Sequence, residues 1–309
     1  MNLFKLAVAA LGATGRRVIL TEAENFPTDQ YVAQGIARLF PDAEFRRVAR
    51  EGLVAAMDGD TALLMFTHVD YRGGHRHDMA ALSAAARSAG ALPLWDLSHS
   101  AGVLDVRLGR DGADLAVGCG YKYLNGGPGA PAFLYVRREL QERMENPIQG
   151  WMGHAAPFAF DSDYTAAPGL ARFLSGTPSI LALAALDAGL DTFEGVDMAV
   201  AEAKAGALGD LFIAEVEARI PDLTLASPRN ARQRGGHVCF AHAESYAIMQ
   251  ALIERDVIGD FRAPDLMRFG FAPLTTRFED VVAAVTTLAE VIDGEAYRDA
   301  RYAIRKAVT

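Results

Sequence analysis

The stretch that decides the fold is LAVGCGYKYLNGGPG, residues 115–129, in which a short apolar run leads into Lys122 and a glycine-proline loop. A second apolar run, ALPLWDLSHSAG at residues 91–102, leads into Asp96 in the same way. Both runs are typical of buried parallel strands, and ligands in open α/β sheets bind at the carboxyl ends of such strands. We therefore expect Lys122 and Asp96 to lie close together at one edge of a sheet.

The pattern around these runs alternates between strands and helices. It predicts strands at 17–21, 44–49, 62–67, 91–96, 115–118 and 132–136, with helices at 2–12, 27–40, 52–57 and 79–88. Such alternation favours an α/β fold with a mostly parallel sheet and helices on both faces. In the opening helix, Leu3, Leu6, Ala7 and Ala10 share one face, which favours an internal helix over a signal peptide.

The pattern of predicted helices and strands changes after about residue 178. Helices are predicted from 178 past 192 and at 198–219, 245–255 and 279–292, with strands at 223–226, 237–241, 257–261 and 267–271. This pattern indicates a smaller C-terminal α+β domain. We predict a large domain over residues 1–185 and a small domain over residues 186–309.

Composition excludes several classes of protein. The 309 residues are 51% hydrophobic with a net charge of −9, and the sequence has no block rich in Lys and Arg. Both features argue against a nucleic-acid-binding surface. No apolar run approaches the roughly 18 residues of a membrane span. Two cysteines, Cys119 and Cys239, are too few for a disulfide framework and favour a reducing cytoplasm.

Lys122 and Asp96 together suit pyridoxal phosphate (PLP). This cofactor needs an amine that condenses with its aldehyde and a carboxylate that keeps its pyridine nitrogen protonated. Burial in an apolar site would lower the pKa of the lysine, as that role requires. Alternatives remain for each residue: Lys122 as a sheet-edge lysine, Asp96 as a helix cap, and His99 as a hydrogen-bonded histidine at a helix start rather than a ring contact.

The sequence as a whole resembles kynureninase, a fold-type I PLP enzyme of the class V aminotransferase superfamily. The motifs that carry the resemblance are NFPTD, FTHVDY, WDLSHSAG, GCGYKYLNGGPGAPAFLYV, GWMGH, FLSGTP, VIGDF and MRFGF. The resemblance extends from residue 2 to the end of the chain. The run YKYLNGGPG separates kynureninases from relatives such as cysteine desulfurases.

The resemblance implies a role for each matching position. Lys122 should hold PLP, Asp96 should pair with the pyridine nitrogen, and Phe26 should stack on the ring. Cofactor-pocket positions are matched by Asp29, Thr67 and His99. Tyr121 matches a residue that binds the phosphate and helps to move protons, so that Tyr121 and Lys122 are the expected catalytic pair.

Three further positions complete the implied site. Trp151 and Thr177 match residues that reach the phosphate of the neighbouring subunit, which implies a homodimer with shared active sites. Arg268 matches the arginine that binds the substrate α-carboxylate, and a planar guanidinium suits that contact. Unaided by the resemblance, Trp151 can be plain packing, Arg268 a structural ion pair, and Phe26 a hydrophobic staple.

The implied activity is hydrolysis of L-kynurenine, or its 3-hydroxy derivative, to anthranilate, or 3-hydroxyanthranilate, and L-alanine. That places the chain in tryptophan catabolism and NAD biosynthesis, with no nucleic acid or membrane as partner. Alternatives are another class V reaction such as cysteine desulfuration, or an inactive fragment. Family members carry about a quarter more chain before the position of Asn2, and that segment contributes to the phosphate cradle and substrate pocket.

Two smaller features favour no extra chemistry. The run His75-Arg76-His77-Asp78 has metal-ligating residue types, but it lacks a second cluster and is interpreted as a solvated loop. Cys119 and Cys239 are interpreted as small buried hydrophobic residues.

Overall fold

The computed structural model describes residues 1–305, which form two compact units. The first unit comprises Met1–His68, His77–Ser98 and Val106–Glu194. The second comprises Val69–Arg76, His99–Asp105 and the chain from Gly195 onward. The predicted domain division between residues 185 and 186 stays a prediction.

A six-stranded sheet forms the centre of the first unit. Its strands, in chain order, are β1 (Val18–Glu22), β2 (Glu44–Val48), β3 (Thr61–Thr67), β4 (Leu92–Asp96), β5 (Leu115–Cys119) and β6 (Ala132–Val136). The spatial order is β2-β1-β3-β4-β5-β6, and all neighbours are parallel except β5 and β6. The helices of this unit are α1 (Asn2–Thr14), α2 (Pro27–Leu39), α3 (Met79–Ser88), α4 (Arg138–Gln141) and α5 (Ile180–Asp191).

The second unit is built on a four-stranded antiparallel sheet. Its elements are α6 (Met198–Arg219), β7 (Thr224–Leu225), β8 (His237–Ala241), α7 (Ser245–Ile253), β9 (Asp260–Arg262), β10 (Leu266–Gly270), α8 (Phe278–Asp293) and α9 (Ala300–Ala303). The strand order is β7-β8-β10-β9. The predicted fold, an α/β sheet with a smaller α+β part, is confirmed.

Each unit has its own apolar core. In the first, α1 buries the predicted face of Leu6, Ala7 and Ala10 completely, together with Ile19 and Leu63 of the sheet. Trp95 of β4 is also fully buried and donates its indole N–H to Ser83 of α3 at 3.0 Å. Removing a ring of that size from a packed core typically costs about 3–5 kcal/mol, so Trp95 fixes the strand that ends in Asp96.

In the second unit, α6, α7 and α8 pack on the antiparallel sheet. Phe212 of α6 is fully buried, and its ring centroid lies 4.7 Å from that of Phe269 on β10. Val285 and Leu288 of α8 belong to the same core. Among the described residues, no helix has both the length and the apolar character needed to cross a membrane.

Two predicted elements differ from the structure. Residues 52–57 form turns after a single 3-10 turn at Arg50–Gly52, rather than a helix. A segment of six residues that starts with glycine gains too few backbone hydrogen bonds to offset the cost of helix nucleation. The strand predicted at 257–261 is short and lies at Asp260–Arg262, because Ile258 is exposed and does not pair with the sheet.

Candidate active site

The carboxyl ends of β3, β4 and β5 meet at one edge of the parallel sheet. Thr67 is the last residue of β3 and lies directly opposite Asp96, the last residue of β4. Asp96 in turn lies opposite Val117 of β5, so the chain leaving β5 carries Lys122 past the same edge. The parallel register therefore sets Thr67, Asp96 and the segment after Cys119 side by side.

Asp96 is a buried carboxylate with a local partner. Its Oδ1 accepts hydrogen bonds from the Ser98 backbone N–H at 2.8 Å and from the Ser98 hydroxyl at 2.5 Å. Burial raises the pKa of Asp96, while the bonds from Ser98 and the charge of Lys122 lower it. No helix follows Asp96 before β5, so the helix-cap alternative is wrong, and its Oδ1 instead holds the turn after β4.

Asp29 lies in the first turn of α2 and is a second buried carboxylate of this cluster. Its Oδ2 is buried and has no hydrogen-bond partner within residues 1–305. Burial and, to a smaller extent, the charge of Asp96 raise the pKa of Asp29, Lys122 opposes both, and together they bring the pKa to about 8. Because these effects are reciprocal, Asp29, Asp96 and Lys122 form one electrostatic cluster, which we call the acid–lysine cluster.

The loop that carries Lys122 is closed by backbone hydrogen bonds; we call residues 120–126 the lysine loop. Gly126 donates to the carbonyl of Gly120 at 2.9 Å, and Gly120 donates to Pro131 at 3.1 Å. A Cβ on Gly120 would lie 2.6 Å from the Pro131 oxygen, so glycine is required for this close approach. The loop therefore fixes the backbone from which Lys122, itself half-buried, projects.

Tyr121 lies beside the lysine in the same loop. Lys122 Nζ is 5.6 Å from the centroid of the Tyr121 ring, within range of a cation–π contact. The side chain is 51% exposed. Burial of the remainder raises the pKa of Tyr121, and Cys119 and Asp96 raise it further. Its hydroxyl thus stays protonated at neutral pH and can donate a proton.

Asn25 joins the turn before α2 to the end of β3. Its Oδ1 accepts from the backbone N–H of Phe26 at 2.8 Å and from that of Thr67 at 3.3 Å. Its amide donates to Thr21 Oγ1 at 3.0 Å, and the side chain is 2% exposed. Asn25 therefore holds Phe26 and Thr67 in a fixed relation. Asn25 belongs to the motif NFPTD, but its bond to Thr67, 42 positions away, leaves no signal in the local sequence.

Trp151 and Thr177 lie in the first unit but at its surface. Trp151 is 39% exposed in a 3-10 turn, and its ring contacts those of Phe158 and Phe160, which are 76% and 74% exposed. Thr177 is also exposed, in the segment before α5. Neither residue takes part in the acid–lysine cluster, and their predicted reach into a neighbouring subunit stays a prediction.

His99 and Arg268 belong to the second unit. His99 is buried, and its ring centroid is 5.7 Å from that of His237. Arg268 on β10 pairs with Asp260 and donates to the carbonyl of Tyr71. The structure therefore shows the ion pair that was the alternative for Arg268. The ion pair does not test the predicted role of Arg268 in substrate binding, which stays a prediction.

Two smaller interpretations need correction. His77 does not lie in a solvated loop; it is buried and its Nε2 is 3.0 Å from Glu22, which also pairs with Arg50. The partner lies 55 positions away at the end of β1, so local sequence could not indicate it. Cys239 is fully buried as expected, but Cys119 is half-buried at the site edge. Within the described residues, no group of three or more candidate ligands could hold a metal ion.

Comparison with known proteins decides the family. The chain is 48% identical to the kynureninase of Pseudomonas fluorescens and 50% identical to that of Burkholderia mallei (strain SAVP1); each alignment covers 100% of this chain and 76% of the relative. The chain belongs to the kynureninase family. A family model described as the kynureninase C-terminal domain matches residues 201–288, which include Arg268.

Solved structures share the fold at lower identity than these kynureninases. A C-DES mutant with glycine linked covalently to the PLP cofactor matches with a TM-score of 0.79 at 19% identity, over 94% of this chain and 79% of that one. The apo cysteine desulfurase from Thermococcus onnurineus NA1 matches with a TM-score of 0.76 at 19% identity, over 95% and 78%. At this identity the likeness shows the fold alone.

Proposed function

We propose that this chain is a PLP-dependent hydrolase that cleaves L-kynurenine, or its 3-hydroxy derivative, to anthranilate, or 3-hydroxyanthranilate, and L-alanine. The observation that carries the proposal is the acid–lysine cluster at the strand ends of a chain in the kynureninase family. Lys122 supplies the amine and Asp96 the buried carboxylate, and both act on the same site. In this role the chain belongs to tryptophan catabolism and supplies precursors for NAD biosynthesis.

The acid–lysine cluster suits a cofactor with a protonated ring nitrogen. Asp29 has a buried oxygen without a partner, and burial raises the pKa values of both Asp29 and Asp96. Two buried carboxylates beside one lysine are stabilised by a further positive charge. PLP, when bound, supplies an aldehyde for the substrate amine and a cationic ring that withdraws electrons from the substrate α-carbon.

Each residue of the site has a separate role in this proposal. Asp96 would keep the ring nitrogen protonated through its opposite charge and Phe26 would stack on the ring, while Asn25 holds the turn that presents Phe26. Lys122 Nζ would hold the cofactor through its aldehyde and, as a free amine, would remove the α-proton of the substrate. Asp29, Thr67 and His99 line the pocket in this proposal.

The later steps need a proton donor and an anchor. Water adds to the γ-ketone, the Cβ–Cγ bond breaks, and the acyl half leaves as anthranilate. Tyr121 would bind the phosphate, and its hydroxyl would give a proton to the β-carbon that becomes the methyl group of alanine. Arg268 binds the α-carboxylate throughout.

Surface features support a homodimer with shared sites. Trp151, Phe158 and Phe160 form an exposed aromatic cluster, and nearly all of the apolar helix α5 is exposed, including Leu181 at 86%. Exposed apolar surface of this kind is typical of protein interfaces. In the dimer, Trp151 and Thr177 of each subunit would reach the phosphate held by its neighbour. We place the dimer in the cytoplasm, where the two free cysteines would stay reduced.

Cysteine desulfuration is the second candidate. Cysteine desulfurases are among the solved structures of the same fold, which favours this reaction, but it needs a reactive cysteine on a mobile loop. Cys239 is fully buried in β8, and burial raises its pKa to about 12. Cys119 ends β5. Neither position suits a mobile thiolate nucleophile.

A pair of assays tests the proposal. The protein, loaded with PLP, is incubated separately with kynurenine and with cysteine, and anthranilate, alanine and sulfide are measured. We expect anthranilate and alanine in equal amounts and no sulfide. Lys122→Ala should abolish the reaction and the visible absorbance of the bound cofactor. A Lys122→Ala variant with the wild-type rate would sink the proposal, and cofactor binding without turnover would favour the inactive fragment.

A further inference from the structure

The guanidinium of Arg268 is held by a carboxylate on the neighbouring strand. Asp260 of β9 lies directly opposite Arg268 of β10 in the antiparallel register. Arg268 Nε lies 3.0 Å from Asp260 Oδ1 and 3.2 Å from Oδ2, and Nη2 donates to Oδ2. The Arg268 side chain is only 12% exposed, so these contacts are partly shielded from water. Such side-on, charge-assisted pairing fixes the plane of a guanidinium.

The contacts of Arg268 leave one edge of the guanidinium available. Arginine has five N–H donors. Asp260 takes Nε–H and one Nη2–H, and the carbonyl of Tyr71 takes one Nη1–H. One N–H on Nη1 and one on Nη2 have no partner within the described residues. These two terminal nitrogens are spaced to receive both oxygens of one carboxylate.

The charges around Asp260 favour an anion at that edge. Arg262 also pairs with Asp260, through Nη2 at 3.1 Å, so two guanidinium groups share one carboxylate. Burial lowers the pKa of Arg262, the positive charge of Arg268 lowers it further, and Asp260 opposes both. The group of three thus carries a net charge of about +1, which a carboxylate ligand would neutralise.

We propose that Asp260 is a positioning residue: it orients Arg268 so that the Nη1–Nη2 end of the guanidinium receives the α-carboxylate of the substrate. The inference rests on the proposed function, because that function makes Arg268 the carboxylate anchor. In addition, the substrate α-carboxylate would bind the end of the Arg268 guanidinium, and this binding would depend on the Asp260 carboxylate, which does not touch the substrate. Asp260 strengthens binding by orientation, although its own charge repels the ligand.

The test compares two amines that differ only in the carboxylate. The PLP-loaded protein is titrated with L-alanine and with ethylamine, and each dissociation constant is read from the change in cofactor absorbance. Asp260→Asn should weaken the binding of alanine relative to that of ethylamine by on the order of tenfold or more, because Arg268 loses its orientation. Asp260→Glu, which keeps the charge, should restore part of the preference.

Controls separate this inference from the proposed function. Glu217→Gln breaks another bidentate Arg–carboxylate pair, the exposed one with Arg229, and should leave the preference for alanine unchanged. Arg268→Gln should abolish that preference; if it does not, Arg268 is no anchor and the proposed role of this residue fails first. If Arg268→Gln abolishes it while Asp260→Asn leaves it unchanged or increases it, the positioning role is overturned. Should Asp260→Asn not fold, Asp260→Ser, which also removes the carboxylate, is measured in its place and judged by the same criterion.

Discussion

At the scale of single residues, the acid–lysine cluster is governed by the cost of burying charge. Asp29 and Asp96 are both buried, and one lysine cannot neutralise both carboxylates. Holding a proton on Asp29 relieves this repulsion, which is why its pKa rises to about 8. The protein without cofactor therefore keeps Asp29 neutral over most of the physiological range.

This raised pKa makes stability depend on pH. The ordinary pKa of aspartate is 3.8, so between about pH 4 and pH 8 the folded protein without cofactor holds a proton that the unfolded chain has released. The stabilising contribution is complete below pH 4 and is lost as pH rises through 8. We expect Asp29→Asn to remove this loss and to stabilise the cofactor-free protein at pH 8.5, relative to wild type, by on the order of a few kcal/mol.

Thermal unfolding at a series of pH values measures the effect. Asp42→Asn makes the same chemical change at an exposed aspartate and should follow the wild-type curve. The gain from Asp29→Asn should shrink toward pH 4, where wild-type Asp29 is also neutral. A gain of equal size at every pH would show that Asp29 carries no raised pKa.

Single residues also show what local sequence can predict. Lys122 and Asp96 could be singled out because each follows an apolar strand, and parallel strands end at the same edge of a sheet. The role of Asn25 could not, because its carbonyl oxygen bonds to Thr67, which lies 42 positions away. The pairing of Arg268 with Asp260 depends likewise on the register of β9 and β10, which sequence periodicity leaves open.

At the scale of elements, the lysine loop depends on close backbone approach. Gly120 donates to Pro131 and accepts from Gly126, and an added Cβ would lie 2.9 Å from Leu186 Cδ1 as well as 2.6 Å from the Pro131 oxygen. The backbone at Pro131 cannot move away from an added Cβ without breaking its hydrogen bond with Gly120. The glycines of GCGYKYLNGG therefore belong to the geometry that presents the lysine.

We expect Gly120→Ala to displace the lysine loop. The substitution should lower the free energy of unfolding by about 1–3 kcal/mol, as overpacking typically does, and weaken the binding of PLP. Calorimetry and titration of cofactor absorbance measure the two effects. Gly109→Ala, at a glycine whose added Cβ would meet no atom within 4 Å, is the matched control. Equal behaviour of the two variants would contradict a packing role for Gly120.

Most elements could be predicted because their patterns are local. The central parallel strands β3, β4 and β5 are largely apolar runs, and α2 begins at a proline in its first turn, where a missing N–H costs nothing. The helix predicted at 52–57 was wrong because only Leu53 of this short segment is buried, so packing adds little to offset the cost of helix nucleation. Edge strand β9 was misplaced because three residues give too little alternation to locate a strand.

At the scale of the whole molecule, the exposed apolar surface of the first unit needs an explanation. Helix α5 is apolar along its length, yet of its residues only Gly189 is buried, and Ile180 and Leu181 are 65% and 86% exposed. Trp151, Phe158 and Phe160 add a second exposed patch. A surface of this kind is costly in water and is typical of a face that another subunit covers.

A shared site makes a specific prediction about mixed dimers. Lys122→Ala and Trp151→Ala should each be inactive or nearly so alone. In a hybrid dimer, however, the subunit with Trp151→Ala retains Lys122 and receives an intact Trp151 from its neighbour, so one of its two sites is complete. Random pairing makes half of the dimers hybrids, and co-expression of the two variants should therefore recover about a quarter of wild-type activity.

The control pairs two lesions within the acid–lysine cluster. Asp96→Ala and Lys122→Ala affect residues that act on one another in the same chain, so no hybrid of these two variants contains a complete site and no activity should return. Recovery with Trp151→Ala but not with Asp96→Ala requires that Trp151 serve the site of the other subunit. If neither mixture recovers activity although hybrid dimers form, Trp151 serves its own subunit or only packing, and the apolar surface around it must be explained without a shared site.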